Sequence, residues 1–366
     1  MAATRRAALP QVRLLLPDAG NGRNFGLART IGEALHARYQ WELDLTVHHT
    51  LEEFQQEWDR RPADALIAFP TRPFRGGALH HLGVPTLTLL IEDPPLPAIL
   101  PDDEAIGRLA GQHLQRPGWV PRAVAPFPSP WWNARLRGWR EVNPEGTDDL
   151  LPKEPRQREA WVKALPANTA LFAANDSTAL AVATAARRVG RTIGGDLRVL
   201  GVDNEIDCLL TTPALSSIAL PLRTIGLQAV RQLALQFQNK PIPPRTVVPP
   251  GALVVRRSSD PFVDAPDWLR TMEEHLRMTI ASGRPPDLLR LLAAQGVHRT
   301  TVSRAWRTVT GMSVRDYVHH LRHEIAQSRL AEGRSEVSVA ASLGLGSVQA
   351  LRRILGRTGP QGASRQ

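Results

Sequence analysis

One cysteine and two tyrosines in 366 residues show how little of some chemistries this chain holds. A lone thiol, Cys208, excludes an intramolecular disulfide and any cysteine-built metal site; it fits a small buried residue in a reducing compartment. No apolar run approaches the roughly 20 residues needed to span a bilayer. The basic start, Met1 to Pro10, leads only into the short run Val12 to Leu16, which is no secretory core. A cytoplasmic location without membrane attachment is therefore expected. A nucleophile elbow, a phosphate-cradling glycine loop and a metal-ligand spacing are also missing. His319 and His323 stand four apart on an expected helix and are read as surface residues, so neither metal nor cofactor is expected. Lysine is absent from residues 261–366, where fifteen arginines face nine acidic residues. That third of the chain holds most of the net charge of +10, which fits a polyanionic partner.

What is present is a soluble globular composition, 42% hydrophobic and 22% charged, over a length that suggests two or three domains. From Val12 to Val255, short apolar runs (VRLLL, ALIAF, TLTLL, RAVAPF, ALFAA, LRVLGV) alternate with helical patterns. Continuous apolar strands separated by helices mean parallel sheets covered on both faces, an α/β architecture in two lobes. The polar, proline-containing stretch RRSSDPFVDAP then reads as a linker. Beyond it only helical patterns follow: Asp267 to Ser282, Asp287 to Ala294, Arg299 to Val309, Val314 to Ala331, Val337 to Leu343 and Ser347 to Leu355. The expected division is residues 11–256, a linker at 257–266, and an all-α domain at 267–366.

Two stretches of the front part end strands and open turns: AAND at Ala173 to Asp176 and GVDN at Gly201 to Asn204. Ligands of open α/β sheets bind at the carboxyl ends of the strands. Polyols need carboxylate, amide and bidentate guanidinium partners with an aromatic face, and Asn175, Asp203, Arg135 and a tryptophan form such a set. Asn175 and Asp203 are equally good capping residues, the blander alternative. Trp131, Trp132 and Trp139 are read as core. AAND, GVDN, RLRGW and the run TTPALSSIALPLRTIGLQAVRQL resemble the LacI/GalR-type effector domain, a periplasmic-binding-protein type I fold, over residues 11–256. The resemblance implies that Arg135, Asn175 and Asp203 bind a monosaccharide effector, xylose or another, in a cleft between lobes. Asp18, Asn21 and Asn24 after the first strand, and Trp161 as a stacking platform, are further candidates.

LacI-type repressors carry DNA-reading helices ahead of this domain, whereas here the first strand is expected at Val12. The helical segment supplies an alternative. In PDLLRLLAAQGVHRTTVSRAWRTVTG, Leu289, Leu292, Ala293, Val297, Val302 and Trp306 fall on the inner sides of two helices joined at Gly296. Arg299, Thr300, Thr301, Ser303, Arg304 and Arg307 are left outward as donors for phosphates and guanine edges, a helix-turn-helix arrangement. Val302, Arg304, Trp306, Gly311, Tyr317, Arg322, Ala326 and Leu330 resemble the AraC-type DNA-binding pattern, which carries two such units. Val339, Ala340, Gly344, Leu345, Ser347, Arg353 and Leu355 occupy the places of the second unit, with Ser347, Gln349, Arg352 and Arg353 as its candidate contacts. Leucines replace the usual aromatics there, and Glu336 stands where an apolar residue is common. The combined resemblance implies a dimeric, sugar-responsive transcription regulator with operator DNA as partner and RNA polymerase as a further candidate. The rival reading is a glycosidase using Asp176 and Asp203 as its carboxylate pair.

Overall fold

The computed structural model describes residues 9–17, 22–71, 74–75, 77–116, 119–166, 168–286, 296–310, 312–331 and 334–356. Asp18, Asn21 and the expected helix Asp287 to Ala294 lie outside them. The first elements are β1 (Gln11–Leu16), α1 (Gly22–Tyr39), β2 (Glu42–Val47), α2 (Leu51–Arg60), β3 (Ala65–Ala68), β4 (Thr86–Leu89), β5 (Ala98–Pro101) and α3 (Asp103–Leu114). Next come β6 (Val120–Ala125), α4 (Pro130–Val142), β7 (Thr147–Leu150), α5 (Pro155–Ala164), β8 (Thr169–Ala173), α6 (Asp176–Arg188) and β9 (Leu197–Asp203). β10 (Ser216–Ala219), α7 (Leu222–Phe237), β11 (Arg245–Val248) and β12 (Leu253–Val254) complete the strands. Four further described helices follow α8 (Asp267–Ala281): α9 (Arg299–Thr310), α10 (Val314–Ala331), α11 (Glu336–Ser342) and α12 (Val348–Leu355).

These elements form two compact units, residues 1–106 with 219–252 and residues 107–218 with 253–366, so the chain passes from one unit to the other three times. The first unit holds a six-stranded sheet of order β11-β5-β4-β3-β1-β2 with parallel neighbours. Strand alternation divides its side chains. Val12, Leu14 and Leu16 join the core under α1 and α7, while Leu15 joins Phe54, Trp58 and Phe74 on the α2 side. Arg13 is fully buried in β1, where Asp44 at 2.7 Å and the Arg61 carbonyl at 2.9 Å take its guanidinium.

The second unit holds another six-stranded sheet, β12-β10-β9-β8-β6-β7, in which β12 runs antiparallel to β10. Strand order reverses beside β1 in one sheet and beside β6 in the other, the switch points at which open sheets leave a crevice outside the strand ends. The same unit contains the helical segment, whose core gathers Leu269, Leu276, Trp306, Leu321, Val339 and Leu351. The leucine-rich second half thus packs into the same core as the first, with Leu351 fully buried.

The boundary expected at residue 256 falls inside this unit. Residues 257–266 connect sheet and helices without slack: Ser258 and Ser259 are buried, and Phe262 and Ala265 belong to the helical core. Composition suggested an exposed tether because serines and aspartates usually face water. Here the serine hydroxyls are consumed in bonds to β9 and β10.

Candidate functional site

Helix α4 begins at Pro130 behind the N-cap Ser129, whose hydroxyl accepts from the Trp132 amide at 3.3 Å. Its closeness to α3 depends on Gly107, where a Cβ would stand 1.8 Å from the Arg135 carbonyl oxygen. Arg135, 4% exposed, donates through Nη1 to the Ala174 carbonyl at 2.5 Å, which puts it beside the end of β8. Its guanidinium lies 4.9 Å from the centre of the Trp131 ring, which in turn meets the exposed Phe127 edge-on at 6.2 Å. Trp131 is therefore half-exposed and stacked, whereas Trp132 and Trp139 are core residues as expected. A flat cation on an aromatic face is a rigid, oriented donor for adjacent hydroxyls.

Asn175 caps α6. Its Oδ1 accepts from the Thr178 amide at 2.9 Å and the Thr178 hydroxyl at 2.7 Å. Its Nδ2 is a donor that bonds no described residue. Asp203 ends β9 with φ of 112° and Asn204 follows with φ of 53°, two successive left-handed residues that are not glycine. Tertiary bonds hold this turn: Asn204 donates its amide to Ser217 Oγ at 2.9 Å, and Glu205 donates its amide to Asp176 Oδ2 at 2.8 Å. Arg135, Trp131, Asn175 and Asp203 thus share the carboxyl edge of one sheet.

Asp176 lies beneath that edge and is 1% exposed. Its second oxygen accepts from Ser217 Oγ at 2.6 Å, and a Cβ at Gly201 would stand 2.2 Å from it. Burial raises its carboxyl above the usual range, against the bonds from Ser217 and Glu205. Both oxygens of Asp176 are thus engaged within the fold, Oδ2 by the Glu205 amide and Oδ1 by the Ser217 hydroxyl, as in a structural clasp. Burial likewise pushes the Cys208 thiol up, and the fully buried residue is inert.

Trp161, on α5, is partly buried and packs against the core of α5, α6 and β9. Asn24 is buried in the first turn of α1, in the other unit.

A second face is carried by α9. Val302, Trp306 and Thr310 are buried on one side, while Arg299, Thr300, Thr301, Ser303, Arg304 and Arg307 are all exposed. Among the described residues, no carboxylate lies within ion-pair distance of Arg299, Arg304 or Arg307. Exposed guanidiniums among hydroxyls suit a phosphate backbone and base edges. Further along, Ser347 is the N-cap of α12, its hydroxyl accepting from the Ala350 amide at 3.2 Å. Gln349 and Arg353 are exposed, but Arg352 is gripped by Glu336 through Nε at 3.1 Å and Nη2 at 2.8 Å. The expectation that His323 is a surface residue is corrected: it is 5% exposed, on the inner side of α10.

Residues 132–259 match the family model of the periplasmic binding protein-like domain. The span contains Arg135, Asn175 and Asp203. The xylose operon regulatory protein of Escherichia coli K12 is 28% identical over 173 residues, 46% of this chain and 43% of that protein. The chain thus spans less than half the length of that relative. The ribose operon repressor of Halalkalibacterium halodurans is 25% identical over 271 residues, 68% of this chain and 79% of the repressor. Among solved structures, a xylose-binding transcription activator XylR superposes with a TM-score of 0.59 at 22% identity, covering 94% of both chains. A LacI-family regulator of Enterococcus faecium with bound ribose gives 0.57 at 23%, covering 68% of this chain and 98% of the other. The structural likenesses establish a shared fold.

Sequence reasoning missed three participants in this domain. Trp131 had a signal, since it stands four residues before Arg135 on one helix face. Ser217, which holds Asp176, and Arg256, which donates to Asn204 Oδ1 at 2.8 Å, had none, because these partners lie far away in sequence.

Proposed function

We propose that this protein is a sugar-responsive, DNA-binding transcription regulator. A monosaccharide, xylose or another, binds at the carboxyl edge of the second unit's sheet. Arg135 and the Asn175 amide donate to its hydroxyls, Asp203 accepts from them, and Trp131 covers a C–H face. Duplex DNA binds across α9, with Arg304 and Arg299 as leading contacts and Arg353 and Gln349 as those of the second helical unit. The observation that carries the reading is the presence, in one compact unit, of a polyol-type donor and acceptor set and an exposed arginine helix with no described acid against it. The sugar-binding and operon-regulating names of the relatives support it. A homodimer on a two-part operator, with RNA polymerase as a further partner, completes the proposal.

The test measures both ligands on one protein. Titration with D-xylose, D-ribose and D-glucose should change tryptophan fluorescence, and Asp203→Ala should abolish the change. Arg304→Ala should weaken binding to a duplex selected with the wild-type protein at least tenfold while the sugar titration persists. A wild-type protein binding neither class of ligand, or releasing sugar from aryl glycosides, overturns the reading.

A further inference from the structure

We infer that residues 256–262 form a rigid splice transmitting the state of the turn at Asp203 to Asn204 to the helix α9, with Arg256 as the positioning residue at its head. The inference rests on the regulator reading and names how its two sites communicate.

The splice begins at the effector edge. Arg256 donates through Nη2 to Asn204 Oδ1 at 2.8 Å and through Nη1 to the Leu215 carbonyl at 2.6 Å. Its own amide and carbonyl both engage the Ser216 hydroxyl at 2.8 Å. Ser258 Oγ then links the Ser216 amide, at 2.7 Å, to the Val199 carbonyl, at 2.7 Å, bridging β10 and β9. Ser259 Oγ bonds Ser216 Oγ at 2.7 Å and lies 2.7 Å from His113 Nε2 on α3. Asp260 closes a turn by donating its amide to the Arg256 carbonyl at 3.1 Å, and its Oδ1 accepts from the Phe262 amide at 3.0 Å.

The far end is aromatic. Phe262 meets Trp306 of α9 edge-on at 5.5 Å and Tyr317 of α10 at 5.9 Å, and Trp306 meets Tyr317 at 5.1 Å. Trp306 is fully buried, and its outward neighbours on α9 are Arg304 and Arg307.

Hydrogen bonds or ring contacts therefore run from the turn beside Asp203 to the helix proposed to read DNA. Buried, satisfied polar groups in a low-dielectric interior switch between discrete arrangements rather than flexing. The turn is the sensitive end, since two left-handed residues persist only while tertiary bonds over-determine them. A hydroxyl taken by Asp203 alters that balance, and Asn204 passes the change to Arg256 as a gained or lost bond. A physically continuous path becomes a coupling path only when breaking it uncouples the sites.

Asn204→Gly keeps the positive φ while deleting the acceptor, and Arg256→Gln deletes the donor. Arg256→Lys retains one donor, and Arg188→Gln, at a surface pair with Glu159, is the control. Duplex affinity is measured with and without saturating D-xylose, or D-ribose or D-glucose if that is the sugar that moves tryptophan fluorescence. In the wild type the sugar should shift duplex affinity by about tenfold, within the usual range for coupled sites. Asn204→Gly and Arg256→Gln should each bind sugar alone and duplex alone within about threefold of wild type, with the shift collapsing toward unity. Arg256→Lys should recover part of the shift, and Arg188→Gln all of it. If both Asn204→Gly and Arg256→Gln keep the wild-type shift, the splice does not transmit. A wild-type protein that binds neither ligand overturns the regulator reading, and this inference with it.

Discussion

In the proposed complex Asn175 serves two ends: its carbonyl oxygen caps α6, and its amide hydrogens are assigned to the sugar. Serine caps a helix nearly as well but offers a single hydroxyl in place of the amide. Asn175→Ser should therefore change unfolding free energy by less than about 0.5 kcal/mol, yet weaken the sugar titration severalfold. Unaltered sugar affinity would reduce Asn175 to a cap. A second residue-scale effect lies at Glu336, whose carboxyl is held below the usual range by the guanidinium of Arg352. In the proposed DNA complex this pair keeps the guanidinium from phosphate and brings a carboxylate toward a polyanion. Glu336→Gln should tighten duplex binding and steepen the log-affinity against log-salt slope by about one unit, as a newly recruited phosphate contact does. An unchanged slope would mean that Arg352 lies off the DNA.

At the scale of elements, His320 on α10 and His113 on α3 should make stability depend on pH. His320 and His113 are both lowered to about 4, first by burial; His323, Arg198 and Arg277 add to the effect on His320, and Arg116 on His113. Asp196 and Asp260 oppose these shifts without reversing them. A histidine whose folded pKa lies below its ordinary 6.5 stays neutral while the unfolded chain takes up a proton. Stability is therefore complete above that pH and falls as acid approaches 4, by up to about 1.4 kcal/mol per pH unit for each group. Chemical denaturation at pH 7 and pH 5 should show this loss, and His320→Gln should shrink it. An equal loss in the variant would place the acid sensitivity elsewhere.

For the whole molecule, the regulator reading imposes reciprocity. If a sugar alters duplex affinity by some factor, saturating duplex must alter sugar affinity by the same factor. Calorimetric titration of the sugar with and without the selected duplex checks this, and unequal factors would show that the two ligands do not share one equilibrium. Both proposed sites fall in one of the two compact units. One unit joins an α/β sheet to the helical segment, and the other is an α/β sheet with its own covering helices.

Periodicity and strand-end residues by themselves determined the α/β front, the helical back, the edge bearing Arg135, Asn175 and Asp203, and the outward set on α9. Those features repeat every two or 3.6 residues or sit next to a strand end, so neighbours in sequence reveal them. Only the tertiary structure decided that both oxygens of Asp176 are engaged within the fold, that Trp131 carries Arg135, that Glu336 grips Arg352, and that Ser258 and Ser259 are buried. Each depends on partners tens of residues distant, and a local pattern has no means of expressing which distant group will satisfy a buried charge or hydroxyl.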